Sequence, residues 1–306
     1  MEVYNLAEHA SGAGTRTRTA VFGRIARATL ARLFAEVGAA PQHLLHVTCT
    51  GYEAPSAAQL LVADKGWGTT TSVLHAYHMG CYAALPALRI ATGLIAFEAA
   101  TRGAGAGRVD IVHTELCSLH LNPLRHEPEQ LVIQSLFADG CIAYSVCEET
   151  TFPGPGPALA VTSQAEWLVP DSASSMRWSC SDFGMEMVLA RDVPDKIGQA
   201  LAPFVEHLLQ KAGEDQAAVE RAVFAVHPGG PRIVDQVAAA LHLTEPQIAH
   251  SRAVLRDRGN MSSATLPHIW QEILRDPQVR DGDLVVSLAF GPGLTLSGAV
   301  LRKVSM

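Results

Sequence analysis

Charge is scarce in this 306-residue sequence, at 17% of residues, and aromatic side chains make up only 6%. What charge there is carries no basic surplus: 23 Lys and Arg stand against 30 Asp and Glu, for a net charge of -7 and a pI near 6.0. A nucleic-acid binder concentrates Lys and Arg on one face, so no such partner is expected. Paired cysteines are missing too. Cys49, Cys81, Cys117, Cys141, Cys147 and Cys180 form no C-x-x-C pair and have no histidine at zinc spacing, which argues against both a metal site and a disulfide framework. The longest stretch free of Asp, Glu, Lys and Arg, Gly66 to Leu88, contains His75, His78 and Pro86 among several Thr and Gly residues. That composition suits no bilayer-spanning helix, so no membrane insertion is expected. The start, MEVYNLAEHA, has neither a basic region nor an apolar run with a cleavage site, and the expected location is the cytoplasm.

What is abundant is apolar content, 48% of residues, enough for a large core in one domain or two fused halves. Apolar residues recur at helical spacing from Arg18 to Gly38, with Gly38 as the expected cap, and a buried strand follows over His43 to Cys49. A helix is expected over Tyr82 to Thr101, with Cys81 immediately before it and Pro86 in its first turn, then a strand at Arg108 to Leu116. LVIQSLFADGCIAYSVCEE reads as a helix, an Asp139-Gly140 turn and a strand from Cys141 to Cys147. TFPGPGP, Thr151 to Pro157, is too rich in Pro and Gly for regular structure and marks the boundary between a first half, 1–150, and a second, 151–306. The second half loosely repeats the scheme, with a helix over Lys196 to Ala212, a strand over Ala222 to Val226, and a closing strand, Gly-rich turn and strand.

Three segments place a reactive side chain beside glycine: HMGCYAALPALRIA around Cys81, FAVHPGGPRIVD around His227, and RGNMSSATLPHI around Asn260. A thiol at a helix N-terminus meets the positive end of the macrodipole, and an imidazole beside it can hold its proton, which makes an acyl-accepting nucleophile. A thioester enolate formed next needs donors aimed at its oxyanion, and an imidazole N–H with an Asn carboxamide supplies them. The remaining cysteines, Cys49, Cys141, Cys147 and Cys180, lack such surroundings and read as packed core thiols.

Together these segments resemble the chalcone and stilbene synthase family, the type III polyketide synthases. The likeness runs in order through the Cys81 segment, LFADG at Leu136 to Gly140, DVP at Asp192 to Pro194, HPGGPRIVDQV at His227 to Val237, GNMSSAT at Gly259 to Thr265 and FGPGLT at Phe290 to Thr295. The resemblance implies an α/β thiolase fold of duplicated βαβαβαββ halves in a five-layer αβαβα core, acting as a homodimer. It further implies Claisen condensation of acyl thioesters, with Cys81 loading the acyl group and His227 and Asn260 holding the thioester carbonyl and its enolate. No tightly bound cofactor is implied; coenzyme A or carrier-protein phosphopantetheine thioesters are the substrates. Phe137 matches a family phenylalanine at the mouth of the cavity, and the backbone of Gly291, Pro292, Gly293 and Leu294 would shape its wall.

Departures from the pattern point away from chalcone formation. Met187 stands where plant members carry a second gatekeeping phenylalanine, and HTELCSLHLNP puts Cys117 and His120 where plant enzymes often have threonines. Glu115, in the same stretch, is a candidate base for a β-ketoacyl thioester, in the manner of bacterial ketosynthases that form α-pyrones. Arg16 and Arg18 are candidates for part of the coenzyme A phosphate site. The family's segment before SGAGTRTRTAVF is short here, so either the start is misassigned or the sheet lacks a first core strand. Two other readings stay open: a catalytically idle ketosynthase-like partner subunit, and a cysteine hydrolase, whose nucleophile context of the C-G-S-C-W type is absent.

Overall fold

The computed structural model describes residues 2–105, 107–152 and 155–305. Its elements run α1 (Thr15–Leu33), β1 (His43–Thr48), α2 (Ala57–Asp64), β2 (Ser72–Tyr77), α3 (Ala84–Arg102), β3 (Arg108–Leu116), α4 (Pro128–Leu136), β4 (Asp139–Cys147), β5 (Pro157–Leu168), β6 (Met176–Ser181), β7 (Gly184–Leu189), α5 (Val193–Lys211), α6 (Ala218–Arg221), β8 (Val223–Val226), α7 (Pro231–Leu241), α8 (Glu245–Arg258), α9 (Thr265–Arg275), β9 (Leu284–Gly291) and β10 (Thr295–Ser305). Two four-stranded sheets form, in the orders β2-β1-β3-β4 and β5-β10-β9-β8, and β6 and β7 make a separate hairpin.

The sheets are built alike. In the first, β1 runs parallel to β3, and β3 antiparallel to β4; in the second, β8 runs parallel to β9, and β9 antiparallel to β10. The likeness breaks at both edges: β2 flanks β1, while β8 has no further strand beside it among the described residues. β5 pairs with the outer edge of β10 from Pro157 to Leu168, while the matching edge of β4 has no strand beside it among the described residues.

Strand alternation fixes the layers, because successive side chains leave a sheet on opposite faces. Val285 and Ala289 of β9 pack toward α9, while Val286, Leu288 and Phe290 pack toward α5 and α7. On the first sheet, Leu45 and Val47 meet α3, and Leu44 meets α1 and α2. The result is five layers, with α3 and α9 in the middle. A helix enclosed by two sheets is apolar on most of its circumference. By length and composition alone α3 is apolar enough to cross a membrane; here its buried residues Ala84, Leu85, Leu88, Ala91 and Ile95 meet the two sheets.

Several local expectations shift. The first helix ends at Leu33 with Phe34 as its cap, so Gly38 caps nothing. Asp139 and Gly140 are no turn: they open β4, paired with Leu116 and Glu115, because the chain passes from α4 straight into the sheet. Of the boundary stretch TFPGPGP, Pro153 and Gly154 lie outside the described residues.

Candidate active site

Cys81 lies in the turn before α3, two residues ahead of the helix cap at Ala83. The approach to it is tight. Gly80 has φ +83°, and a Cβ there would come within 2.5 Å of Pro292 Cδ, so only glycine lets the turn after β2 press against the β9–β10 turn. The Gly80 amide donates to Cys49 Sγ at 3.0 Å, and Cys81 Sγ lies 3.8 Å from Ser262 Oγ.

His227 follows β8, its amide anchored on the Leu288 carbonyl at 2.8 Å. The side chain is buried, at 1% exposure, yet neither Nδ1 nor Nε2 has a hydrogen-bond partner. Buried polar atoms are nearly always paired, so an imidazole left uncommitted in a cavity wall is kept for a ligand. Asn260 is held by its backbone: its amide donates to Leu136 O and its carbonyl accepts from Ala138 N, a parallel bridge to Phe137 that ties the second half to the first. Its Oδ1 accepts from the Ser262 amide at 2.9 Å, which turns the carboxamide NH2 toward the Gly229 carbonyl, a weak contact at 3.4 Å.

These three side chains line one cavity of about 470 Å³ including its open mouth, together with Phe137 and Met187. A second chamber of about 360 Å³ adjoins it, and Cys81, Phe137, Met176 and Met187 line both. The thiol thus sits where two chambers meet, with Phe137 and Met187 at the junction. Burial pushes the Cys81 thiol up to about 12 and the His227 imidazole down to about 3. Burial therefore opposes charge on both groups, against the helix end that favours a thiolate.

The other anticipated residues divide. Cys117 lines the second chamber, and so does Pro292 of the Gly-rich turn. Leu294 instead packs into the second-half core, Gly293 O accepts from Ser172 Oγ, and Gly291 lies under the Tyr82 ring. His120 lines neither chamber: one ring nitrogen meets Thr50 O at 2.8 Å and the other the Met185 amide at 3.0 Å. Glu115 is fully buried behind the wall, accepting from the Cys49 amide and Thr50 Oγ1, both at 3.0 Å, and from Ser263 Oγ. Arg18 is no phosphate ligand. It is 1% exposed and donates to the carbonyls of Ser11, Ala13 and Leu119, pinning the first residues of the chain.

Sequence reasoning passed over Cys49, Thr50, Met176, Trp178 and Ser262, all of which line the second chamber. Trp178 closes it, its indole N–H donating to the Cys49 carbonyl at 2.8 Å. A tryptophan within the polar run RWSCS was the available signal.

Residues 22–149 match the family described as chalcone and stilbene synthases, N-terminal domain, and residues 159–305 match the C-terminal domain of the same family. Type III polyketide synthase A of Arabidopsis thaliana is 28% identical over 274 residues, 86% of this chain and 66% of its own length. Type III polyketide synthase C of the same plant is 29% identical over 266 residues, 85% of this chain and 67% of its own. The chain thus spans about two thirds of these curated relatives. Among solved structures, 1,3,6,8-tetrahydroxynaphthalene synthase of Streptomyces coelicolor, a bacterial type III polyketide synthase, superposes with a TM-score of 0.84 at 26% identity, covering 96% of this chain and 82% of that one. The C-terminal type III polyketide synthase domain of Steely1 from Dictyostelium gives a TM-score of 0.82 at 26% identity, covering 95% and 80%. With both halves matched in order and a five-layer thiolase fold around Cys81, His227 and Asn260, the chain belongs to the chalcone and stilbene synthase family of type III polyketide synthases.

Proposed function

We propose that the protein is a ketosynthase that loads an acyl group on Cys81 and joins it to a second thioester by Claisen condensation. The observation that carries this reading is the convergence of Cys81, His227 and Asn260 on one cavity, with both nitrogens of the buried imidazole uncommitted. In loading, the Cys81 thiol gives its proton to His227 as sulfur attacks the thioester carbonyl. The leaving thiol, of coenzyme A or a carrier-protein phosphopantetheine, takes that proton back. In condensation, the His227 N–H and the Asn260 carboxamide donate to the enolate oxygen of the extender after its CO2 departs. The enolate carbon then attacks the acyl carbonyl and expels the Cys81 sulfur. Assembly as a homodimer belongs to the same reading.

Intact-mass measurement after incubation with acyl thioesters tests it. The adduct is expected in the wild type and in Cys147→Ala and is expected to vanish in Cys81→Ala. An unchanged adduct in Cys81→Ala overturns the assignment.

A further inference from the structure

A hydrogen-bonded chain runs from the second chamber along the face of the first sheet that packs on α3, ending on β4. Thr50 lines the chamber and its Oγ1 lies 3.0 Å from Glu115 Oε2. Glu115 Oε1 accepts from Ser263 Oγ, Ser263 Oγ lies 3.0 Å from His113 Nδ1, and His113 Nε2 lies 3.2 Å from Tyr144 Oη. The Tyr144 ring then lines an open groove of about 1580 Å³ along the edge of β4 that has no strand beside it among the described residues. Every link is a donor–acceptor contact, and the chain is otherwise sealed: Glu115, His113 and Ser263 are all fully buried.

Donor directions are consistent from Tyr144 to Glu115; Thr50 Oγ1 also donates to Glu115, so onward passage to the chamber needs that carboxyl protonated on Oε2 and the Thr50 hydroxyl turned to accept. Burial lowers His113 to about 3, with His46 and His268 adding to the effect, so the imidazole is neutral and has one donor and one acceptor. With the Tyr144 O–H donating to Nε2, the Nδ1–H donates to Ser263, and the Ser263 O–H donates to Glu115. A proton entering at Tyr144 can then leave toward Glu115 by concerted shifts, without a charged imidazole forming in the core.

We propose that Tyr144, His113, Ser263, Glu115 and Thr50 form a proton relay that feeds the thiol chamber from the β4 groove during condensation. The proposal rests on the ketosynthase reading. When a malonyl-type thioester is the extender, its C–CO2 bond breaks, the new C–C bond forms, and Cys81 leaves as a thiolate. The cycle closes only when that thiolate takes up one proton. Loading needs no such supply, because the proton lost by Cys81 returns to the leaving thiol. With substrate filling the junction at Phe137 and Met187, the relay gives protons a separate route into the second chamber.

The test uses Tyr144→Phe, which removes one oxygen and keeps the ring stacked on His113 and edge-on to Trp270, with His113→Gln as a second break. Acylation of Cys81 is followed by mass, and condensation with a malonyl thioester by steady-state kinetics in H2O and D2O. Expected are wild-type acylation rates, unchanged KM, kcat for condensation lowered about tenfold or more, and a larger solvent isotope effect on kcat. Wild-type kcat with an unchanged isotope effect in both variants overturns the relay, as does equal slowing of acylation and condensation, the mark of mere distortion. A wild type that never acylates Cys81 overturns the ketosynthase reading and the relay with it.

Discussion

Asn260 and His227 enter the cavity by different means, and the difference separates their roles. Asn260 is fixed through its backbone bridge to Phe137 and through Oδ1, so truncating it keeps the bridge and loses the Oδ1 contact with the Ser262 amide. Asn260→Ala is expected to acylate Cys81 normally but to condense about 10²–10³ times more slowly, the usual cost of one oxyanion donor. Mass spectrometry for loading and product formation for condensation read the two steps apart, and equal loss in both would refute the division. At this scale the sequence was informative about identity and poor about charge. Three residues beside glycine marked the reactive groups, and the cavity contains all three. Their protonation was not legible, because desolvation depends on neighbours such as Ser262 and Met187 that come from distant segments. The same blindness hid that Cys49, buried as expected, also lines the second chamber, and that His120 lines neither. Whether a buried side chain faces a cavity or the back of its wall is decided by packing, not by its own residue type.

Among the elements, the hairpin β6–β7 decides the shape of the second chamber, since Met176, Trp178 and Met187 all ride on it. Cys117 faces them from the end of β3. Replacing Cys117 by Phe is expected to fill part of this space and shift the ratio of kcat/KM values toward shorter acyl thioesters. About 1 kcal/mol per excluded methylene gives roughly a fivefold change for each. A melting curve must accompany the kinetics, since overpacking also destabilises. A folded variant with an unchanged chain-length profile would show that Cys117 does not bound the acyl group. Strands buried on both faces were the easiest to find: Arg108–Leu116 was expected as a strand and is β3. The hairpin was missed because Arg177, Ser179 and Glu186 dilute its apolar residues, and only the cavity gives its methionines a place to go. The Asp139-Gly140 pair misled for the opposite reason. Its turn propensity is real, but sheet pairing with β3 overrides it.

For the molecule as a whole, burying histidines without charge sets an acid limit. Burial lowers His46, His113 and His227 to about 3 each. A folded pKa below the unfolded value of about 6.5 means that the unfolded chain binds more protons in that range. The stability these groups contribute is therefore complete above about pH 6.5 and is lost as pH falls toward 3. The melting temperature is expected to decline steadily below pH 6.5, and a flat profile down to pH 4 would show that these imidazoles are not held neutral. The layered arrangement itself was foreseeable from motif order alone. The uneven sheet edges were less so, because the unpaired flank of β4 becomes visible only when both sheets are set side by side.

The division of the site between halves has a consequence during synthesis. On the ribosome Cys81 emerges early, but His227 and Asn260 come much later, and the second sheet stays incomplete until β10, the last strand, inserts between β5 and β9. Until the segment 227–260 has emerged and packed against the first half, the thiol has neither the imidazole nor the carboxamide beside it. On the proposed function, acyl transfer therefore waits on the second half, although the nucleophile belongs to the first.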